Sequence, residues 1–185
     1  MNVLLNPGFE DGVTDPWHFY AYGSNMGSFS VTPDVYSGNF AGILTCTAFD
    51  GVSAIYAGQQ VIDRVALDGP RYIAKCKYKS TADFMLRVHV FWGTGQGITY
   101  QTGVLPPSAN WKEVVLNIPA PFPADSYDVL FYVRIYGVGT VTFDDCVMEE
   151  TVIPPTSPWL RVLYAAVKYV GPIVVGLYSI RGWKR

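Results

Sequence analysis

The chain has 185 residues, half of them hydrophobic and 15% charged, with 18 Gly, 13 Pro, 5 Trp, 13 Tyr and 10 Phe. That is enough chain for one domain with an appendage, too apolar for disorder, and too rich in turn formers and aromatics for a helical bundle. Residues 1–150 hold all 15 acidic and 8 basic groups, a balance of −7, and residues 151–185 hold 5 basic groups and no acid; the acidic excess excludes sequence-independent nucleic-acid binding, since such a body displaces no phosphate counterions.

Runs of β-formers, separated by Gly, Pro, Asn and Asp, predict strands near 2–5, 17–22, 27–32, 40–47, 53–62, 71–79, 83–92, 97–102, 111–118, 127–136 and 140–149. Turn signals fall between them: NPG at 6–8, TPD at 32–34, SGN at 37–39, DGP at 68–70, PPSAN at 106–110 and GVG at 137–139. Short strands at this spacing, without helical period, predict an all-β fold, a two-sheet antiparallel jelly-roll sandwich. Two runs alternate cleanly. Phe84, Leu86, Val88, Val90 and Trp92 share one face, with Met85, Arg87, His89 and Phe91 on the other. Val129, Phe131, Val133 and Ile135 alternate with Leu130, Tyr132, Arg134 and Tyr136. The first set of each run belongs to the core. The second is semi-polar and aromatic, which a plain solvent face would not be.

The sandwich is expected to occupy 1–150. A proline-rich linker follows over 151–158, where Pro154, Pro155 and Pro158 make a semi-rigid spacer. Residues 159–185 form a basic, hydrophobic anchor segment, predicted to begin as a helix that Gly171-Pro172 breaks or kinks. Residues 162–180 approach the roughly 20 needed to span a bilayer. Lys168 lies inside that stretch, at a cost of about 2.5–3.5 kcal/mol near a helix centre. Docking of Trp159, Leu160, Leu163, Val167, Ile173, Val174 and Leu177 against protein is therefore favoured over membrane insertion, which stays open as the alternative. The amino terminus has neither the basic nor the long apolar stretch of a signal peptide, so export by that route is not expected.

Cys46, Cys76 and Cys146 lie in apolar runs without any CxxC spacing, so zinc is not expected, and whether any pair is joined stays open. Catalysis finds no support either. His18 and His89 stand in no hydrolase-like context, and no G-x-S-x-G elbow occurs. Glu149 and Glu150 are adjacent, whereas a glycosidase needs carboxylates facing each other across a bond. Gly93-Thr94-Gly95-Gln96-Gly97 lies between two strands and reads as a hairpin turn, not a phosphate loop.

In order along the chain stand NVLLNPGFEDG with Trp17, SGNFAG (37–42), IYAGQQV (55–61), GPRYIAKCKYK (69–79), NWKEVVLNIPAP (110–121) and FDDCVMEE (143–150). This series resembles the jelly-roll carbohydrate-binding modules attached to bacterial xylanases and glucanases. The likeness covers about 150 residues, rests on order and spacing, and does not reach the tail. It implies a structural Ca²⁺ held by Glu10 and by Asp144 or Asp145, with carbonyls near Ser37–Asn39, all hard oxygen donors. Consecutive strand residues point to opposite faces, so both aspartates reach one ion only across a bulge. The plainer alternative is that these carboxylates cap loops through backbone N–H groups.

Sugar faces combine flat rings, which cover the apolar side of a pyranose, with planar donors and acceptors for hydroxyls. Arg87, His89, Phe91, Tyr132, Arg134 and Tyr136 supply that mixture if their strands share a sheet, and they are expected on one partly exposed face. Tyr20, Tyr22 and Gln101 would extend it. The same residue types also build protein interfaces. The leading expectation is a non-catalytic glycan-binding module displayed on a larger assembly, such as a virion or phage surface, and held to other protein subunits by its tail. The alternative is a purely structural capsid-decoration or filament protein with no sugar binding.

Overall fold

The computed structural model describes residues 2–61, 71–118, 122 and 126–151, with the backbone alone for Arg71 and Tyr127. The linker beyond Thr151, the anchor segment and its seven apolar residues lie outside the described residues.

The expected alternation builds ten strands: β1 (His18–Ala21), β2 (Met26–Thr32), β3 (Ala41–Ala48), β4 (Ile55–Gln60), β5 (Arg71–Ser80), β6 (Phe84–Trp92), β7 (Gln96–Gln101), β8 (Ser108–Ile118), β9 (Ser126–Ile135) and β10 (Gly139–Thr151). They form two antiparallel five-stranded sheets, β1-β4-β9-β6-β7 and β2-β3-β10-β5-β8. The fold is the all-β jelly-roll sandwich that the sequence predicts. Gly93-Thr94-Gly95 forms the β6–β7 hairpin connection, as expected of a turn, with positive-φ glycines at 93 and 95, and Gln96-Gly97 open β7. Among the described residues, no helix is long and apolar enough to cross a membrane.

Phe84, Leu86, Val88 and Val90 of β6, with Val129, Phe131, Val133 and Ile135 of β9, line the inner face of one sheet. Leu44, Ala74, Cys76, Tyr78, Val141, Phe143 and Met148 line the other. Burial of each large apolar side chain contributes about 1.5–3 kcal/mol. Trp92 packs half-buried at the rim of that core. At one end Phe9, Trp17, Phe29, Phe131 and Phe143 meet with ring centroids 5.2–5.9 Å apart. Cys46, Cys76 and Cys146 are buried free thiols.

One expected strand is absent. Residues 2–5 make a single bridge, Asn2 to Glu149, and one further ladder bond from Val3 N to Met148 O (2.8 Å). Two residues on, a side chain takes the place of a neighbouring strand. Gln59 accepts from Leu5 N (2.7 Å) and donates to Leu5 O (2.8 Å). Its fully buried amide is satisfied by that pair, as buried polar groups must be. Trp17 Nε1 donates to the carbonyls of Leu5 and Asn6, each at 3.3 Å, and ties the same segment to the aromatic end of the core.

Candidate functional site

Residues that alternate with the core positions of β1, β4, β9, β6 and β7 emerge together on the outer face of that sheet. Register fixes their neighbours. Tyr20 lies opposite Tyr56, Tyr56 opposite Arg134, and Arg134 opposite Met85. In the next row His18, Gly58, Tyr132, Arg87 and Gln101 follow one another across all five strands. Then come Gln60, Leu130, His89 and Thr99, and finally Asp128, Phe91 and Gly97. All six residues expected to bind sugar therefore share this face, with Tyr136 just beyond the end of β9. Tyr20 and Gln101 join them, and Tyr22 joins through its ring.

The rings form a connected floor. Tyr20 stacks on Tyr56 at 4.8 Å, Tyr22 stacks on Tyr56 at 6.1 Å, and Tyr56 meets Tyr132 at 4.7 Å. His89 and Phe91 stand 4.1 Å apart. The Arg87 guanidinium lies over Tyr132 at 5.3 Å, and that of Arg134 lies over Tyr136 at 4.5 Å. Exposure departs from the expectation at one position. Arg87, His89, Phe91, Arg134 and Tyr136 are half-buried, but Tyr132 is only 6% exposed. Its ring lies between Tyr56 and Arg87, so it supports the floor and offers little surface of its own.

Tyr56 is the centre of this floor, and sequence reasoning missed it. The signal was present: Gly58 stands two residues on, the same-face spacing of a strand. A Cβ at Gly58 would come within 2.6 Å of Tyr132 Cβ and 2.8 Å of Phe131 O, so glycine makes room for the tyrosine. Gln60 and Asp128 were also missed. They hydrogen-bond each other at the far end of the face.

Burial governs the titrations here. It pushes the Tyr56 and Tyr132 phenols up, and at Tyr132 both arginines oppose it. Burial, then the Arg87 charge, lowers His89, and Asp128 opposes that shift. The His89 ring is oriented by a 2.6 Å hydrogen bond between Nδ1 and Thr99 Oγ1. Burial raises Asp128 against the Gln60 hydrogen bond.

The residues expected to hold Ca²⁺ gather elsewhere, around the loop at 36–39. Asp144 Oδ2 accepts from Tyr36 N (3.0 Å) and Ser37 N (3.1 Å), and its Oδ1 accepts from Asp145 N (2.7 Å). Ser37 Oγ donates to Asp145 Oδ1 (2.9 Å), and Asn39 N donates to Glu10 Oε2 (2.8 Å). A bulge between Asp144 and Val147, with Asp145 at φ 46°, turns consecutive aspartates toward one loop. Glu10, Asp11, Ser37, Gly38 and Asp145 border an open depression with Asn6, Pro7 and Gly8. Gly38, at φ 68°, approaches so closely that a Cβ would strike the Glu10 carboxylate. The donors are hard oxygens, as calcium requires. Among the described residues no three carboxylate, imidazole or thiol groups converge closely enough to hold an ion by themselves. Carbonyl oxygens would have to complete the shell. Asp144 is fully buried; burial raises its carboxyl above the usual range, although three N–H donors oppose the shift.

No protein-family model matches the sequence, and no curated protein matches it. Solved structures share its fold. A family 22 xylan-binding domain from Paenibacillus barcinonensis Xyn10C superposes with a TM-score of 0.61 at 16% identity, over 79% of this chain and 92% of that one. A family 61 carbohydrate-binding module, solved with β-1,4-galactotriose, gives 0.54 at 17% identity, over 82% and 99%. The enzymatically active domain of tailspike protein 4 from bacteriophage CBA120 gives 0.66 at 14% identity. That match spans 81% of this chain but 21% of the tailspike chain. The chain has a jelly roll like that of carbohydrate-binding modules.

Proposed function

We propose that this chain is a non-catalytic module that binds a glycan on the outer face of the β1-β4-β9-β6-β7 sheet. The observation that carries the reading is the floor of Tyr20, Tyr56 and Tyr132, flanked by Arg87, His89, Phe91, Arg134 and Tyr136. Rings of this kind cover the C–H face of a pyranose, and guanidinium, imidazole and amide groups around them suit its hydroxyls. Structural likeness to modules solved with oligosaccharides supports the same reading. A structural Ca²⁺ at Glu10, Asp144 and Asp145 belongs to the proposal as a staple for the 36–39 loop. So does attachment to a larger assembly through residues 159–185, in keeping with a fold shared by a phage tailspike.

The test is a glycan array probed with the full chain, followed by calorimetry on Phe91→Ala and Tyr132→Phe. Phe91→Ala removes a half-buried ring and is expected to weaken binding about tenfold or more, as loss of a ring that contacts ligand typically does. Tyr132→Phe keeps the supporting ring and is expected to bind nearly as well. If no glycan is retained, or if Phe91→Ala binds like the parent chain, the sugar reading fails in favour of a structural role.

A further inference from the structure

The two arginines of this face differ from the lysines that form ion pairs, because neither meets a carboxylate among the described residues. Among the described residues, ion pairs join Lys75 to Glu149, Lys77 to Glu113 and Lys79 to Asp34, and none involves Arg87 or Arg134. Their Nε atoms are buried without a hydrogen-bond acceptor. The side chains lie diagonally across β6 and β9, since Arg87 is opposite Tyr132 and Arg134 opposite Met85. Both charges act on the Tyr132 phenol. Two permanent cations thus stand on neighbouring rows of one face, Arg87 over Tyr132 and Arg134 over Tyr136, in a body with an acidic excess.

We propose that the glycan taken by this face is acidic, and that a sugar carboxylate reaches the guanidinium groups of Arg87 and Arg134 at the edge of the tyrosine floor. The inference rests on the sugar reading above and specifies its ligand. A guanidinium presents a planar fork that matches a carboxylate two donors to two acceptors, so the exposed parts of these half-buried arginines suit a hexuronate better than a neutral pyranose. Arg134 is already positioned: its stacking on Tyr136 and a long contact from Nη2 to Val52 O (3.5 Å) hold the guanidinium at the edge of the floor.

The face is also polarised. Asp128 lies opposite Phe91, two same-face rows from Arg87, which places it about 13 Å away along the strands. His89 stands between, lowered by burial and by Arg87 and so uncharged near neutrality. The carboxylate therefore belongs at the arginine end, and a neutral sugar belongs over Phe91. An oligosaccharide with uronates among neutral residues fits better than a uniform polyanion, which would bring a charge against Asp128.

Affinity electrophoresis of the full chain in gels carrying glucuronoxylan, hyaluronan or homogalacturonan, each beside its carboxyl-reduced form, tests this. Retention by an acidic polymer of mixed sequence is expected, with at least tenfold loss on carboxyl reduction and in Arg87→Gln or Arg134→Gln, and with weakening as salt rises. Circular dichroism checks that each variant is folded. Equal retention by the carboxyl-reduced forms, or retention confined to them, would overturn the acidic ligand while leaving the sugar reading intact. No retention by any polymer, acidic or neutral, would overturn both.

Discussion

The outer faces of the two sheets are both cationic in sequence, yet they use their charges in opposite ways. On the β2-β3-β10-β5-β8 sheet, Lys75, Lys77 and Lys79 alternate along β5, and a carboxylate meets each one. Lys77 and Lys79 also lie over Tyr36 and Trp111, at 4.9 and 5.2 Å from the ring centroids. That charge is spent within the fold. On the other sheet Arg87 and Arg134 lie over tyrosines and meet no carboxylate of the described residues. Cation–π contact alone leaves most guanidinium N–H groups available, because the ring takes the flat face and not the edge. The comparison teaches that a cation–aromatic pair marks a binding surface only where the counter-charge is missing.

Gly58→Val is expected to have the largest effect, since its side chain would collide with Tyr132 and with the Phe131 carbonyl. Overpacking of this kind costs about 3 kcal/mol at its upper range, so the melting temperature should fall while the lysine-bearing sheet stays unaltered in sequence. A stable Gly58→Val variant with an unchanged melting temperature would show that the tyrosine floor is not tightly packed.

Chelation comes next. If Ca²⁺ bound at Glu10, Asp144 and Asp145 stabilises the fold, removing it from a hundredfold excess over its dissociation constant costs about 2.7 kcal/mol. Glu10→Gln should abolish the difference between melts with calcium and with chelator. Identical melts of the parent chain under both conditions would remove calcium from the proposal.

Lys77→Met and Lys79→Met sharpen the contrast between the faces. Their ion pairs are partly exposed, so each change should alter stability little and leave glycan affinity as it was. A loss of affinity in either variant would move the ligand to the lysine-bearing sheet and overturn the proposed face.

The smallest effect is a pH dependence. His89 has a lowered folded pKa, so its neutral form is favoured in the native state. Stability from this group is full above the unfolded value of about 6.5 and is lost as pH falls toward the folded value. His89→Gln should flatten that decline in denaturant titrations at pH 7 and pH 5, and an unchanged slope would contradict the assignment.

Much of this was legible in the chain. Alternation in 84–92 and 129–136 assigned each residue its face, because burial of one sheet face imposes a period of two, but not its exposure: Trp92 ends half-buried and Tyr132 buried. The six candidate sugar ligands followed from the same rule, and so did their common face once β6 paired with β9. The strand expected at 2–5 failed because β-forming residues state a preference, not a partner. Gln59, 54 residues away from Leu5, supplied the bonds that a strand would have made.

Sequence alone determined the two-sheet class, the core positions and the residue types at each candidate site, since all of these follow from local pattern. Tertiary structure decided which charges remained unpaired, that Tyr56 sits at the centre of the floor, and that a bulge at Asp145 turns two consecutive aspartates toward one loop. Those are properties of register and of pairs distant along the chain. No local period encodes them, because a strand's own alternation says which face a residue takes and nothing about who stands opposite.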